Sequence, residues 1–140
     1  MMTERTRAAL GLLGLGARAR RLAIGVDAAR EALRRGKAEA LVLSSDASER
    51  ARERLTPLAG HRDVVVLVGP DADALGQALG GRPPVHGVAV LDRQLARGLR
   101  AYLAVANAAG QDPAGGASEV SFALRRASGA VANPEEKVGR

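Results

Sequence analysis

One hundred and forty residues, carrying 21 Lys+Arg against 15 Asp+Glu, make one domain of ordinary size with a tail to spare. The absence of cysteine excludes a disulfide framework, a thiolate nucleophile and a zinc knuckle. With one Tyr, one Phe and no Trp, the chain cannot build an aromatic platform for stacking single-stranded bases.

No apolar run approaches the roughly 20 residues that a bilayer crossing needs. Leu10 to Leu15 is glycine-broken and shorter than a usual signal core, and Arg18, Arg20 and Arg21 follow where a cleavage site needs small residues. These features lead to the expectation of a soluble cytoplasmic protein with no membrane role. Leu10 to Leu22 reads as a helix weakened by Gly11, Gly14 and Gly16, and Ala23-Ile24-Gly25 as a short extended piece. From Val26 to Arg35 the helical pattern is clear. Val26, Ala29, Ala32 and Leu33 form one face, Asp27, Arg30, Glu31 and Arg34 the other, and Gly36 ends the helix. Ala40 to Ser44 is a buried strand, and Asp46 with Glu49 suggests a capping box opening a helix from Ala47 to Ala59. Val64 to Val68 is a second buried strand. A turn at Gly69-Pro70-Asp71 leads to a helix from Ala72 to Leu79, closed by Gly80-Gly81. After Arg82-Pro83-Pro84 comes a strand from Val85 to Leu91, and Asp92 caps a final helix predicted to reach Asn107. Short apolar strands alternating with helices indicate an α/β domain with helices on both faces of the sheet. The domain is placed at residues 8–107. Residues 108–140 are rich in Gly, Pro and small side chains and read as a flexible, disordered tail, with a short helix from Ser118 to Ser128 as the alternative for one stretch.

The charge is unevenly distributed. Residues 1–37 hold nine basic and three acidic residues, and the other 103 hold twelve of each sign, so the whole +6 lies in the first quarter of the chain. Concentration of this kind is the footprint of a polyanion partner. Nineteen of the 21 cations are Arg, whose planar fork suits phosphate and guanine edges, although a GC-rich coding bias also favours Arg.

Catalytic and nucleotide-loop readings are weak. Gly11, Gly14 and Gly16 have no preceding strand, and Gly36-Lys37 is followed by Ala38 where a P-loop needs Ser or Thr. Ser44, Ser45, Asp46 and Ser48 are more simply helix-capping residues than a hydrolase site, since His61 and His86 are the only histidines and both fall in or beside loops. Two histidines without cysteine or a paired acidic cluster make no metal site. No catalytic residue and no cofactor are expected. The segment from Gly25 to Gly36 is more informative. A helix start preceded by glycine presents free N–H groups to an anion, and Arg30, Arg34 and Lys37 form a basic strip beside it. Asp27 and Glu31 interrupt that strip, which fits either intrahelical ion pairs or a mixed surface where cations meet phosphates and Asp27 accepts from a guanine edge.

Leu12-Leu13-Gly14-Leu15, Arg18-Ala19-Arg20-Arg21-Leu22, Gly25, Arg34-Arg35-Gly36-Lys37-Ala38 and Leu41-Val42-Leu43-Ser44-Ser45-Asp46-Ala47-Ser48 resemble the bacterial YlxQ-type ribosomal-protein-like family. That family belongs to the superfamily of the archaeal large-subunit protein L-seven-Ae and the eukaryotic L-thirty-e. Leu75-Gly76, Gly80 and Val88-Ala89-Val90-Leu91-Asp92 continue the resemblance in order, over about residues 10–105. It implies a three-layer α/β/α sandwich around a mixed four-stranded sheet, and recognition of structured RNA, typically a kink-turn. Two places in the superfamily touch RNA: the start of the second helix, with the pattern G-x-N-E-x-x-K, and the apolar loop before the last strand.

Here the first place reads Gly25-Val26-Asp27-Ala28-Ala29-Arg30-Glu31, with Asp27 at the Asn position, Ala28 at the Glu position and Glu31 reversing the Lys charge. The second corresponds to Gly81-Arg82-Pro83-Pro84-Val85-His86. The resulting expectation is a non-catalytic RNA-binding protein associated with the ribosome or translation. Arg18, Arg20, Arg21, Arg30, Arg34 and Lys37 would meet phosphates, Gly25 and Asp27 a guanine, and Arg82, Pro83, Pro84 and Val85 would form the apolar platform. All six cations are expected on one exposed surface flanking the glycine-led helix. The expected partner is structured RNA, with ribosomal RNA as a candidate, and no small-molecule substrate is expected. The alternative is a protein-interaction module or homodimer on the same fold that has lost kink-turn specificity.

Overall fold

The computed structural model describes residues 2–106; the expected tail at 108–140 and its alternative helix lie outside the described residues. The chain runs α1 (Glu4–Arg18), β1 (Leu22–Ile24), α2 (Val26–Arg34), β2 (Ala40–Leu43), α3 (Glu49–His61), β3 (Val65–Val68), α4 (Ala72–Ala78), β4 (Gly87–Val90), α5 (Arg93–Arg100) and β5 (Ala104–Val105). One mixed sheet in the order β1-β4-β2-β3-β5 forms the middle layer. β2 and β3 are parallel, and β4 runs antiparallel to both of its neighbours, β1 and β2. β1, β2 and β3 therefore point the same way.

Side chains alternate across the sheet. Val42, Leu67, Val88 and Val90 pack with Leu13, Leu75, Leu79 and Leu99 on the face covered by α1, α4 and α5. Leu41, Val66 and Ala89 pack with Ala29, Leu33, Ala51 and Leu55 beneath α2 and α3. This is the three-layer α/β/α sandwich, with five strands in place of four. The difference arises at the end of the domain. The apolar pattern reads as helix to Asn107, but α5 stops at Arg100 and a turn through Tyr102 returns the chain to pair Val105 with Leu67 and Ala104 with Val68. A two-residue strand is too short for its alternation to show in a sequence.

Other boundaries move too: the helix expected to run to Leu22 ends at Arg18, and Leu22 opens β1. α1 starts at Glu4, where the Thr3 side chain accepts from the Thr6 N–H. α3 is capped by Ser48, whose Oγ accepts from the Ala51 N–H at 3.1 Å; Asp46 reaches instead to the Ala72 N–H at 2.9 Å, tying the β2–α3 loop to the start of α4. The strand expected from Val85 begins at Gly87, because the Val85 N–H donates to the Ala72 carbonyl.

The parallel direction of β1, β2 and β3 fixes where helix ends fall. α2, α3 and α4 each begin beyond the carboxyl end of a strand, here called the upper edge. α1, α2 and α3 all finish at the opposite, lower edge, and each closes with the same pair of backbone hydrogen bonds. They are Arg21 N–H to Gly16 O with Arg20 N–H to Ala17 O, Lys37 to Ala32 with Gly36 to Leu33, and Val64 to Ala59 with Asp63 to Gly60. The left-handed residue of each closure is Arg20 (φ 60°), Gly36 (φ 70°) and Asp63 (φ 59°).

The glycines separate into packing positions and neutral ones. A Cβ on Gly76 would lie 2.5 Å from the Arg82 carbonyl oxygen, whereas one on Gly11, exposed in α1, would meet nothing within 4 Å. Gly76→Ala is expected to lower stability by about 2 kcal/mol through backbone displacement. Gly11→Ala should raise it by about 1 kcal/mol. Urea midpoints of the two variants moving in opposite directions would verify this; equal shifts would contradict the packing.

Candidate nucleic-acid interface

The two segments singled out in the sequence meet at the upper edge. Ile24 pairs with Val88 in the β1–β4 ladder. The Gly25 N–H then donates to the Gly87 carbonyl at 2.9 Å, and the Ser44 N–H to the His86 carbonyl at 3.0 Å. The start of α2, the end of β2 and the loop before β4 are thus joined through backbone. At Gly87 a Cβ would fall 2.7 Å from Leu55 Cδ1, so glycine there allows α3 to close against the sheet.

Gly25 has φ 102° and ψ 157°, a conformation open to glycine and strained for other residues. It leaves α2 without a side-chain cap, while Thr3, Ser48, Asp71 and Asp92 cap the other four helices among the described residues. The first N–H groups of α2 are therefore available to an outside acceptor. Asp27 stands in that first turn with a side chain 87% exposed, and its Oδ1 takes a 2.8 Å ion pair from Arg54 Nη1 on α3. Arg30 and Arg54, with Pro57, Leu58 and His61, line a shallow groove between α2 and α3. Arg54 escaped the sequence reading because its relevance comes from the packing of α2 on α3, which no local pattern encodes. Ala28 is exposed beside Asp27.

Glu31, the charge-reversed position, receives Arg34 Nε at 3.2 Å and Arg35 Nε at 2.6 Å. Those two guanidinium donors hold its carboxyl below the ordinary range. Its negative charge is thus matched within the helix. In the loop before β4, Pro83 and Pro84 are exposed, Arg82 folds back so that Nε donates to the Leu79 carbonyl at 2.9 Å, and Val85 is buried in the core. The apolar rim consists of the two prolines, with His86 half-buried behind them.

The expected single cationic surface is divided. Arg30 stays near the glycine-led start, but Arg18, Arg20 and Arg21 precede β1, and Arg34 and Lys37 follow α2 toward β2, so all five sit at the lower edge. Register establishes this, since Leu22 and Ala40 both pair with Val90, at the end of β4 away from Gly87. Arg21 is held by Asp92 at 2.5 Å. Sequence proximity to Gly25 misled because α1 ends, and α2 ends, a full strand length from where α2 begins.

Asp46 accepts the Ala72 N–H, which holds its carboxyl below the ordinary value of 3.8, with the Ser44 side chain and then His86 as lesser contributors. His86 Nδ1 is buried without a hydrogen-bond partner among the described residues. Nor do the described residues contain a cluster of His, Asp or Glu able to hold a metal ion. No described helix is long and apolar enough to cross a membrane.

Comparison with known proteins agrees with this architecture. Residues 7–100 match the ribosomal protein L7Ae/L30e/S12e/Gadd45 family. The chain belongs to that family. Among solved structures, a Bacillus halodurans protein of unknown function is 33% identical, with a TM-score of 0.63, over 67% of this chain and 94% of that one. A Giardia lamblia 15.5 kD RNA-binding protein is 21% identical, with a TM-score of 0.62, over 73% of this chain and 87% of that one, a likeness of fold. No curated protein is a significant match. For this L7Ae-family domain, the residues that depart from the superfamily pattern are Asp27, Ala28 and Glu31, all on one helix.

The Asp46 linkage has a definite sign. A carboxyl whose folded value is depressed adds stability above its unfolded value and loses it as pH falls through the folded value. The urea midpoint of the native protein is expected to drop on acidification from about pH 6 to about pH 3. Asp46→Ala should start lower and drop less. Parallel curves for the two proteins would exclude Asp46 as a contributor to acid sensitivity.

Proposed function

We propose that this L7Ae-family domain binds structured RNA of the kink-turn type at its upper edge, without catalysis, in a ribosomal or translational setting. The observation that supports this reading is the Gly25–Gly87 hydrogen bond, which ties the uncapped start of α2 to the first residue of β4, just after the loop that carries Pro83 and Pro84. These are the two segments through which the superfamily meets RNA. Family membership and the fold shared with an RNA-binding protein of Giardia lamblia support it.

The chemistry follows from the residues. Exposed Asp27 accepts from the N–H edge of a guanine, while the first N–H groups of α2 face the RNA beside it. Arg54, already drawn toward Asp27, and Arg30 in the adjoining groove supply phosphate contacts. Pro83 and Pro84 present a stiff apolar surface to an unstacked base. Ala28 and Glu31 remove two side chains of the superfamily pattern, so affinity rests more on Asp27 and the helix start than in G-x-N-E-x-x-K members.

Filter retention across a salt series, with a kink-turn hairpin and a plain duplex as probes, tests this directly. The hairpin is expected to bind more tightly, and Asp27→Ala to weaken hairpin binding about tenfold or more, since a hydrogen bond to a charged group contributes about 1.5–3 kcal/mol. Duplex retention should be little changed by Asp27→Ala. Equal, negligible retention of both RNAs at low salt would end the reading.

A further inference from the structure

The lower edge gathers cations from four separate places in the chain. Arg18, Arg20 and Arg21 close α1, Arg34, Arg35 and Lys37 close α2, Arg62 ends α3, and Arg93 begins α5. The backbone connects them. The Leu91 N–H donates to the Arg21 carbonyl and the Glu39 N–H to the Val90 carbonyl, so the ends of α1 and α2 flank the end of β4. Two strand spacings separate β1 from β2 across β4, about 10 Å. Arg62 donates to the Arg34 carbonyl, and Arg93 pairs with Glu39 at 3.7 Å. Eight cations thus face four carboxylates, Glu31, Glu39, Asp63 and Asp92, an excess of four.

Helix dipoles alone do not account for that excess. Three helix carboxyl ends and one amino end meet here, each worth about half an elementary charge, which sums to about one negative charge. Arg93 even stands at the first position of α5, where the dipole disfavours a cation. Arg20 is in the left-handed region at φ 60°, a place where glycine is easier by about 1 kcal/mol and where α2 does use Gly36. Arg18, Arg20 and Lys37 are exposed and have no ion-pair partner among the described residues.

We propose that this lower edge is a second RNA-contacting surface, taking the phosphate backbone of a helical segment independently of the upper-edge site. Seven of its eight cations are Arg, suited to bidentate phosphate contacts. A protein partner would need an apolar centre. Of the exposed large apolar residues described, only Leu15 lies near this edge. The two surfaces sit at opposite ends of the strands, so one domain joins two RNA segments.

The experiment uses a 20-base-pair RNA duplex with no internal loop and the variant Arg18→Glu/Arg20→Glu/Lys37→Glu, whose substituted positions carry no described ion pair. Duplex affinity at low salt is expected to fall at least tenfold. The slope of log affinity against log salt should shrink by about two to three, near 0.9 for each phosphate contact removed. Arg20→Gly separates binding from folding: its urea midpoint should rise while its duplex affinity falls. Duplex affinity of the triple variant within twofold of the native protein would overturn the proposal. So would poly-glutamate competing as well as duplex RNA at equal charge, which points to an acidic protein instead. Loss of duplex binding in the triple variant, in a protein that shows no preference for the kink-turn hairpin, would support this surface and sink the upper-edge reading alone.

Discussion

The domain depends on β4 lying antiparallel between β1 and β2. One end of this four-residue strand is Gly87, which accepts the Gly25 amide and admits Leu55 where a side chain would stand. The other end is Val90, paired with both Leu22 and Ala40. Val88, Ala89 and Val90, all buried, serve both helical layers. Because β1 and β2 run the same way on either side of β4, the residues just before them collect at one end of the sheet and those just after them at the other. The strand order thus sorts the candidate residues before any side-chain chemistry acts.

Much of this was legible in the sequence where apolar spacing is regular. Ala40–Leu43 is a continuous apolar run buried on both faces, Val65–Val68 is a second apolar run buried at Val66 and Leu67, and α2 carries a face of Ala29, Ala32 and Leu33 ended by Gly36. The glycine-led start of α2 and the Pro83-Pro84 loop were also recognisable, the first from backbone chemistry and both from family resemblance. What stayed hidden was long-range. Asp46 and Ser48 both suit a helix start, and only the approach of α4 decides that Asp46 serves Ala72. Val85 looks like part of an exposed rim until its amide is seen bonded to Ala72. Arg54 has no special local context, and β5 gains its identity solely by pairing with β3.

The misreading of the basic segment is the most instructive. Arg18, Arg20, Arg21, Gly25, Arg30, Arg34 and Lys37 are close in sequence, which suggests closeness in space. A strand and a nine-residue helix of about 13 Å intervene, and they carry the chain up the sheet and back down. Charge counted along the chain therefore leaves the location of the cations undetermined.

The two edges consequently offer different physics to a nucleic acid. At the upper edge, acids such as Asp46 and Asp71 are engaged with backbone amides of α4, and Asp27 is matched by Arg54. On the proposed reading, recognition there combines hydrogen-bond direction and shape with the phosphate contacts of Arg30 and Arg54. At the lower edge, Arg18, Arg20 and Lys37 stand as exposed formal charges, whose attraction for phosphate falls off over a Debye length of about 8 Å at physiological ionic strength. On the proposed reading, drift in the helix-start residues, as at Ala28 and Glu31, leaves the exposed cations of the lower edge in place.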